Sequence, residues 1–169
     1  MTIKEKIGSI KNIDVNGRAI DHLELEWYET NKRILHKKTI AGKEAVLKFL
    51  NGSQNLTEGD VVYEDEHSLI VVSIKPCDVI VIKPTSMYQM AYSCYEIGNK
   101  HLPLFYDKDE LLVPYEAPLF KMLQASGFNL IKEERKLLNQ LKTSVMPHGH
   151  AGENKSLFSK ILQLTSSNE

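Results

Sequence analysis

Six histidines are the residues of this sequence with the clearest capacity for chemistry. Neutral imidazole is a common ligand of nickel and other late first-row divalent ions. If the chain is extended at His148-Gly149-His150, the i, i+2 spacing would place both imidazoles on one side, and glycine would let them turn toward one ion. This pattern predicts a weak chelating pair, and an unstructured polar tail explains it equally well. His101 by itself is ambiguous, because an exposed histidine after a helix also serves as a charge partner for the helix dipole. The remaining three are His22, His36 and His67.

Sequence patterns that support catalysis are missing. The chain has no phosphate-binding glycine loop, no H-E-x-x-H zinc motif and no paired C-x-x-C. Glu96 is the carboxylate nearest to His101 in the sequence. A surface role explains Glu96 better than that of a general base in a zinc hydrolase. We therefore predict a binding protein rather than an enzyme.

Composition is typical of a globular protein. Of 169 residues, 42% are hydrophobic and 25% are charged, and the formal net charge is −1. A chain near neutrality is a poor partner for nucleic acid. No segment approaches the roughly 18 apolar residues of a membrane span, and the first residues do not read as a secretion signal. We expect a cytoplasmic protein without membrane contact, in which Cys77 and Cys94 are reduced core thiols.

Residues 1–75 carry the pattern of a small all-β domain. Leu23, Leu25 and Trp27 alternate with polar residues, as the inward side chains of a half-buried strand do. Turn-forming residues recur at short intervals between such runs. The pattern predicts antiparallel strands. Lys75-Pro76 marks the predicted boundary, because proline lacks the backbone donor that a central strand needs.

Residues 76–142 predict a ferredoxin-like domain of order β-α-β-β-α-β, which layers two helices on an antiparallel sheet. The chain is therefore predicted to be α+β. Residues 143–169 are predicted to form a flexible tail that carries His148 and His150. The predicted helix ends are Thr85 or Ser86 and Gly98 for the first helix, and Pro118 and Gly127 for the second.

Three segments of the chain resemble segments of a known protein family. Residues 94–101 read Cys-Tyr-Glu-Ile-Gly-Asn-Lys-His and resemble the signature of the UreE family, in which a tyrosine-containing helix ends in Gly-Asn-Arg-His. Lys100 replaces the arginine, which keeps the charge and loses the planar guanidinium. Residues 25–30 resemble the family's early strand, and residues 144–148 resemble the start of its metal-binding tail. The resemblance covers about residues 20 to 150.

This resemblance implies a nickel metallochaperone of the urease system. His101 would meet its copy across the axis of a homodimer, with His148 and His150 completing the nickel ligands. Zinc would fit the same site. The sequence leaves open whether the protein is a dimer or a tetramer in which two dimers share nickel. The implied partners are the accessory GTPase UreG and the urease apoprotein complex, and the N-terminal domain resembles a peptide-binding module. Because imidazole must be neutral to bind and titrates near about 6.5, nickel affinity is expected to fall below that pH.

Two other functions fit parts of the sequence. Ferredoxin-like sheets often bind RNA through stacked aromatic side chains, and Tyr88, Tyr92 and Tyr95 are available. An RNA-binding or ribosome-associated protein without a metal role is therefore the alternative. A nickel-responsive regulator also fits, although no helix-turn-helix is evident.

Overall fold

A computed structural model describes residues 1–52 and 54–141 of the chain. The first half contains β1 (Thr2–Ile3), β2 (Gly8–Ser9), β3 (Ala19–Leu25), β4 (Ile34–Lys38), β5 (Glu44–Lys48), β6 (Asp60–Glu64) and β7 (Ser68–Ile74), with 3-10 helices at Ile10–Asn12 and Trp27–Glu29. The second half contains β8 (Cys77–Ile82), α1 (Met87–Asn99), β9 (Phe105–Asp107), β10 (Glu110–Pro114), α2 (Ala117–Ala125) and β11 (Leu130–Arg135). The predicted tail, with His148 and His150, lies outside the described residues, and the predicted boundaries at 75 and 142 stay predictions.

The strands of the first half form two sheets of mixed direction. Their orders are β1-β5-β4 and β2-β6-β7-β3. β4 and β5 are antiparallel, as are β6 and β7, but β1 runs parallel to β5 and β3 runs parallel to β7. The prediction of antiparallel strands was wrong for these two pairs. Alternating side chains show which face a residue occupies, and they carry no information about the direction of a partner distant in sequence.

The alternation predicted in β3 is present. Leu23 and Leu25 are fully buried, whereas His22 and Glu24 are exposed. The buried side chains join a core that β5 and β7 also supply. Trp27 lies beyond the strand, in the second 3-10 helix.

The second half has the predicted ferredoxin-like topology. Its sheet has the order β11-β8-β10-β9, and each neighbouring pair is antiparallel. Ile80 and Ile82 of β8 pack against Ile97 of α1 and Leu123 of α2, so both helices lie on one face. The α+β prediction is confirmed. Within the described residues, no helix is long and apolar enough to cross a membrane.

The other face of this sheet is buried against Leu137 and against Trp27 of the first half. Val79 and Val81 form a cluster with Phe105, against which Trp27 packs. The rings of Trp27 and Phe105 meet edge to face, with centroids 5.6 Å apart. RNA-binding sheets need an open face on which bases can stack. The covered face therefore argues against the RNA-binding alternative.

Candidate metal site

Helix α1 places His101 about 22 Å from Ser86, the residue that caps its N-terminal end. The hydroxyl of Ser86 accepts the backbone N–H of Gln89 at 3.2 Å, which confirms the predicted N-terminal cap. Ser93 and Ile97 are buried on the inner face of the helix. The sheet and the cap thus fix the axis of α1, and with it the position of the chain that follows.

The C-terminal end of α1 is a Schellman motif centred on His101. The N–H of His101 donates to the carbonyl of Gly98 at 2.9 Å, and the N–H of Leu102 donates to the carbonyl of Ile97 at 3.4 Å. This pattern requires a left-handed backbone at residue 101, whose φ is +54°. Gly98 was predicted to end the helix, but it lies inside the last turn. His101 occupies the left-handed position that glycine usually takes.

Helix α2 ends in the same motif with a glycine. The N–H of Gly127 donates to Gln124, that of Phe128 donates to Leu123, and the φ of Gly127 is +79°. Glycine adopts this conformation freely, whereas a residue with a Cβ is strained by about 1–2 kcal/mol. His101 is exposed, so no core packing explains its presence there. A strained, exposed histidine is a functional candidate.

The outer face of α1 carries a stripe of exposed aromatic side chains, here called the tyrosine stripe. Tyr88, Tyr92 and Tyr95 are 76%, 36% and 66% exposed. Tyr88 stacks on Tyr92 with ring centroids 6.1 Å apart, and Tyr92 stacks on Phe128 at 5.5 Å. Contiguous exposed aromatic surface is typical of protein contact sites. The stripe runs along α1 toward the end that bears His101.

The last described residues return to the neighbourhood of His101. The N–H of Leu141 donates to the carbonyl of Leu104 at 2.8 Å, and the N–H of Tyr106 donates to the carbonyl of Asn139 at 3.0 Å. Leu104 follows His101 by three residues, so Leu141 lies within about 15 Å of His101. Sequence reasoning missed this pairing, because a few residues without a turn signal do not reveal a strand-like contact.

The other histidines of the described chain lie apart from His101. His22 is in β3, His36 is in β4 and His67 precedes β7, and each is exposed. Among the residues that the structure describes, no group of three or more His, Cys, Asp or Glu side chains could hold a metal ion. The described residues of a single chain therefore do not surround His101 with a set of metal ligands.

Both cysteines are half-buried free thiols. Burial raises the pKa of the Cys77 and Cys94 thiols, so both stay protonated near neutral pH. Cys94 packs against the core beneath α1, and Cys77 packs against the cluster on the opposite face of the sheet. Protonated, partly packed thiols are poor metal ligands.

Known family models match both halves of the chain. Residues 3–75 match the family model described as UreE urease accessory protein, N-terminal domain. Residues 77–156 match the corresponding C-terminal domain, so the two matches span most of the chain. This chain belongs to the UreE family of urease accessory proteins. The resemblance seen in residues 94–101 is confirmed, and so is the prediction that the chain is not an enzyme.

Individual UreE proteins are similar to this chain along most of their length. The urease accessory protein UreE of Flavobacterium johnsoniae is 48% identical over 164 residues, which cover 97% of this chain and 99% of that protein. UreE of Acetivibrio thermocellus is 39% identical over 151 residues, or 89% and 98% of the two chains. UreE of Helicobacter hepaticus is 40% identical over 136 residues, or 79% and 78%.

Proposed function

We propose that this UreE chain is a cytosolic nickel metallochaperone that supplies the metal for assembly of the urease active site. His101 from each of two protomers binds the ion at a homodimer interface, and His148 and His150 complete the ligand set. The ion then passes to the GTPase UreG within the urease assembly complex. The observation that carries this proposal is the exposed His101 in a left-handed helix cap, where glycine would be more stable.

A two-fold axis supplies the ligands that one protomer lacks. One imidazole is too few for a tight nickel site, and the described residues hold no other ligand cluster. An isologous dimer brings two copies of the same residue to the axis, so that two His101 side chains can share one ion. This arrangement predicts one tight nickel ion per dimer.

The tyrosine stripe supports a dimer formed through α1. Tyr88 and Tyr95 leave most of their ring surface open in the single chain. Burying aromatic side chains between two copies of α1 would supply apolar contact beside the metal. The interface and the nickel site would then be built from the same helix.

The position of Leu141 supports a role for the tail histidines. His148 follows Leu141 by seven residues, a span of about 25 Å when extended. Since Leu141 lies within about 15 Å of His101, His148 and His150 are within reach of the ion.

Exposed ligands suit a protein that must release its cargo. A site at the protein surface exchanges ligands with a partner more readily than a closed, buried site. Zinc binds the same ligand types with similar affinity, so supply decides which metal occupies the site. Transfer to UreG would proceed by replacing the tail histidines first, because the His101 pair is held by α1.

Titration calorimetry with nickel tests this proposal. The metal-free native protein is compared with His101→Ala, and the mass of each is measured by light scattering. We expect about one tight nickel ion per native dimer and loss of that binding in the variant, which stays dimeric. His67→Ala is the matched control, because it removes an exposed histidine that has no assigned role.

The outcomes separate the parts of the proposal. Equal nickel binding by the native protein and His101→Ala would show that His101 is not a ligand. A monomeric native protein that still binds nickel tightly would rule out the shared site. Failure of the native protein to bind nickel would refute the metallochaperone function.

A further inference from the structure

Two Asn-Gly pairs occur in the chain, at Asn16-Gly17 and at Asn51-Gly52. An asparagine before glycine is chemically labile, because the glycine nitrogen can attack the side-chain amide and no Cβ hinders its approach. Both asparagine side chains are exposed, so access of water does not distinguish the two pairs. The turns that contain them differ, and this difference determines which pair reacts.

The turn at Asn16 is closed by several hydrogen bonds. The N–H of Arg18 donates to the carbonyl of Val15 at 2.9 Å, and φ is +47° at Asn16 and +75° at Gly17, as in a type I′ turn. The guanidinium of Arg18 also donates to the carbonyls of Val15 and Asp14. Ring closure requires rotation of the backbone between the asparagine and the glycine, so the closed turn must open first.

The charge beside Asn16 also opposes the reaction. The attacking nitrogen must lose its proton, and the amide oxygen gains negative charge as the new bond forms. The N–H of Asn16 donates to Oδ1 of Asp14 at 3.0 Å, and the side-chain amide of Asn16 lies against the same carboxylate. A carboxylate at this range repels the developing negative charge. Asn16 is therefore protected by both geometry and charge.

Asn51 lies in a turn that leaves its side chain without such restraint. The turn begins at the buried Phe49, whose N–H donates to the carbonyl of Arg33 at 2.8 Å. Two residues further on, Asn51 has a negative φ, and within the described residues its side chain makes no hydrogen bond or ion pair. A Cβ built on Gly52 would meet no described atom within 4 Å, so the space around the attacking residue is open.

A positive charge lies beside Asn51. The guanidinium of Arg33 donates to the carbonyl of Phe49 at 3.3 Å and to the carbonyl of Leu50 at 2.7 Å. The carbonyl of Leu50 belongs to the peptide unit that joins it to Asn51. A fixed positive charge at this position favours the anionic nitrogen and the oxyanion of ring closure.

We propose that Asn51 is a site of spontaneous deamidation, whereas Asn16 is protected. The backbone nitrogen of Gly52 bonds to Cγ of Asn51, the bond from Cγ to the side-chain nitrogen breaks, and that nitrogen leaves with the Gly52 proton as ammonia. Water then opens the succinimide ring and leaves aspartate or isoaspartate at position 51. One further negative charge takes the formal net charge from −1 to −2. This modification goes beyond the nickel function and does not depend on it.

Incubation of the full-length native protein in mildly alkaline buffer tests this proposal. Trypsin cleaves after Lys11, Arg18 and Lys48, so the two pairs fall in different peptides and mass spectrometry follows each conversion. We expect Asn51 to convert about three- to tenfold faster than Asn16, the factor for one hydrogen bond that must first break. In guanidinium chloride both turns are lost, and the two rates should converge.

Two variants test the two parts of the argument. Asn51→Gln should suppress the acidic form that isoelectric focusing detects in aged native protein, because glutamine closes a larger ring more slowly. Asp14→Ala should speed up conversion of Asn16, because it removes a hydrogen bond and the negative charge.

Three results would overturn the proposal. They are conversion of Asn16 as fast as that of Asn51 in the folded protein, an undiminished acidic form in Asn51→Gln, and a rate difference that persists in guanidinium chloride. The last would show that the folded turns are not the cause. Unchanged conversion of Asn16 in Asp14→Ala would refute the protective role of Asp14.

Discussion

Replacing His101 with glycine separates the two properties of this residue, because it removes the imidazole and also relieves the left-handed backbone. That backbone costs a residue with a Cβ about 1–2 kcal/mol. Glycine loses about 0.5–1 kcal/mol more chain entropy on folding. The net expectation is a gain of about 0.5–1 kcal/mol in the free energy of unfolding. For a chain of this length, the Tm should rise by about 1–4 °C.

The assay is thermal unfolding of metal-free protein at one fixed protomer concentration, since dimerisation makes the Tm depend on concentration. His101→Ala keeps the Cβ, so it should give no comparable rise. Both variants should lose tight nickel binding by calorimetry. The native protein would then be less stable than the His101→Gly variant, and metal binding would explain why the chain has histidine at this position.

Gly127→Ala is the matched control at the equivalent position of α2. A Cβ there would meet no atom within 4 Å, so any loss of stability reports the left-handed backbone alone. We expect the Tm to fall. A lower Tm for metal-free His101→Gly than for the native protein would refute the strain argument, and retained nickel binding would refute the ligand role.

Three further predictions concern stability. Trp27→Ala opens the contact with Phe105 between the two halves of the chain, and should lower the free energy of unfolding by about 2–3 kcal/mol in urea titrations. Ser86→Ala removes the cap of α1 and should cost about 1 kcal/mol by the same measurement. Two backbone N–H groups lower the pKa of Asp65 from 3.8 to about 2. Asp65→Asn should therefore lower the Tm at pH 7, and its difference from the native protein should shrink as the pH falls below about 4.

Local signals in the sequence predicted much of the second half. Ser86 and Pro118 mark helix starts and Gly127 marks a helix end because each effect involves a residue and its immediate neighbours. The alternation in β3 was also predictable, since burial on one face of a strand repeats every second residue.

Contacts between distant segments were not predictable in this way. The parallel pairing of β3 with β7 joins strands more than forty residues apart, and nothing in either strand encodes the direction of the other. The hydrogen bond from Leu141 to Leu104 likewise depends on the position of β9.

The sequence by itself determined the family, the α+β class and the histidines available for metal, because these follow from residue identity and local periodicity. Only the tertiary structure decided the conformation of His101. The last turn of α1 is held by Ile97, whose burial fixes where the helix ends and hence which residue takes the left-handed position. That choice depends on packing against the sheet, so no local pattern around Gly98 could reveal it.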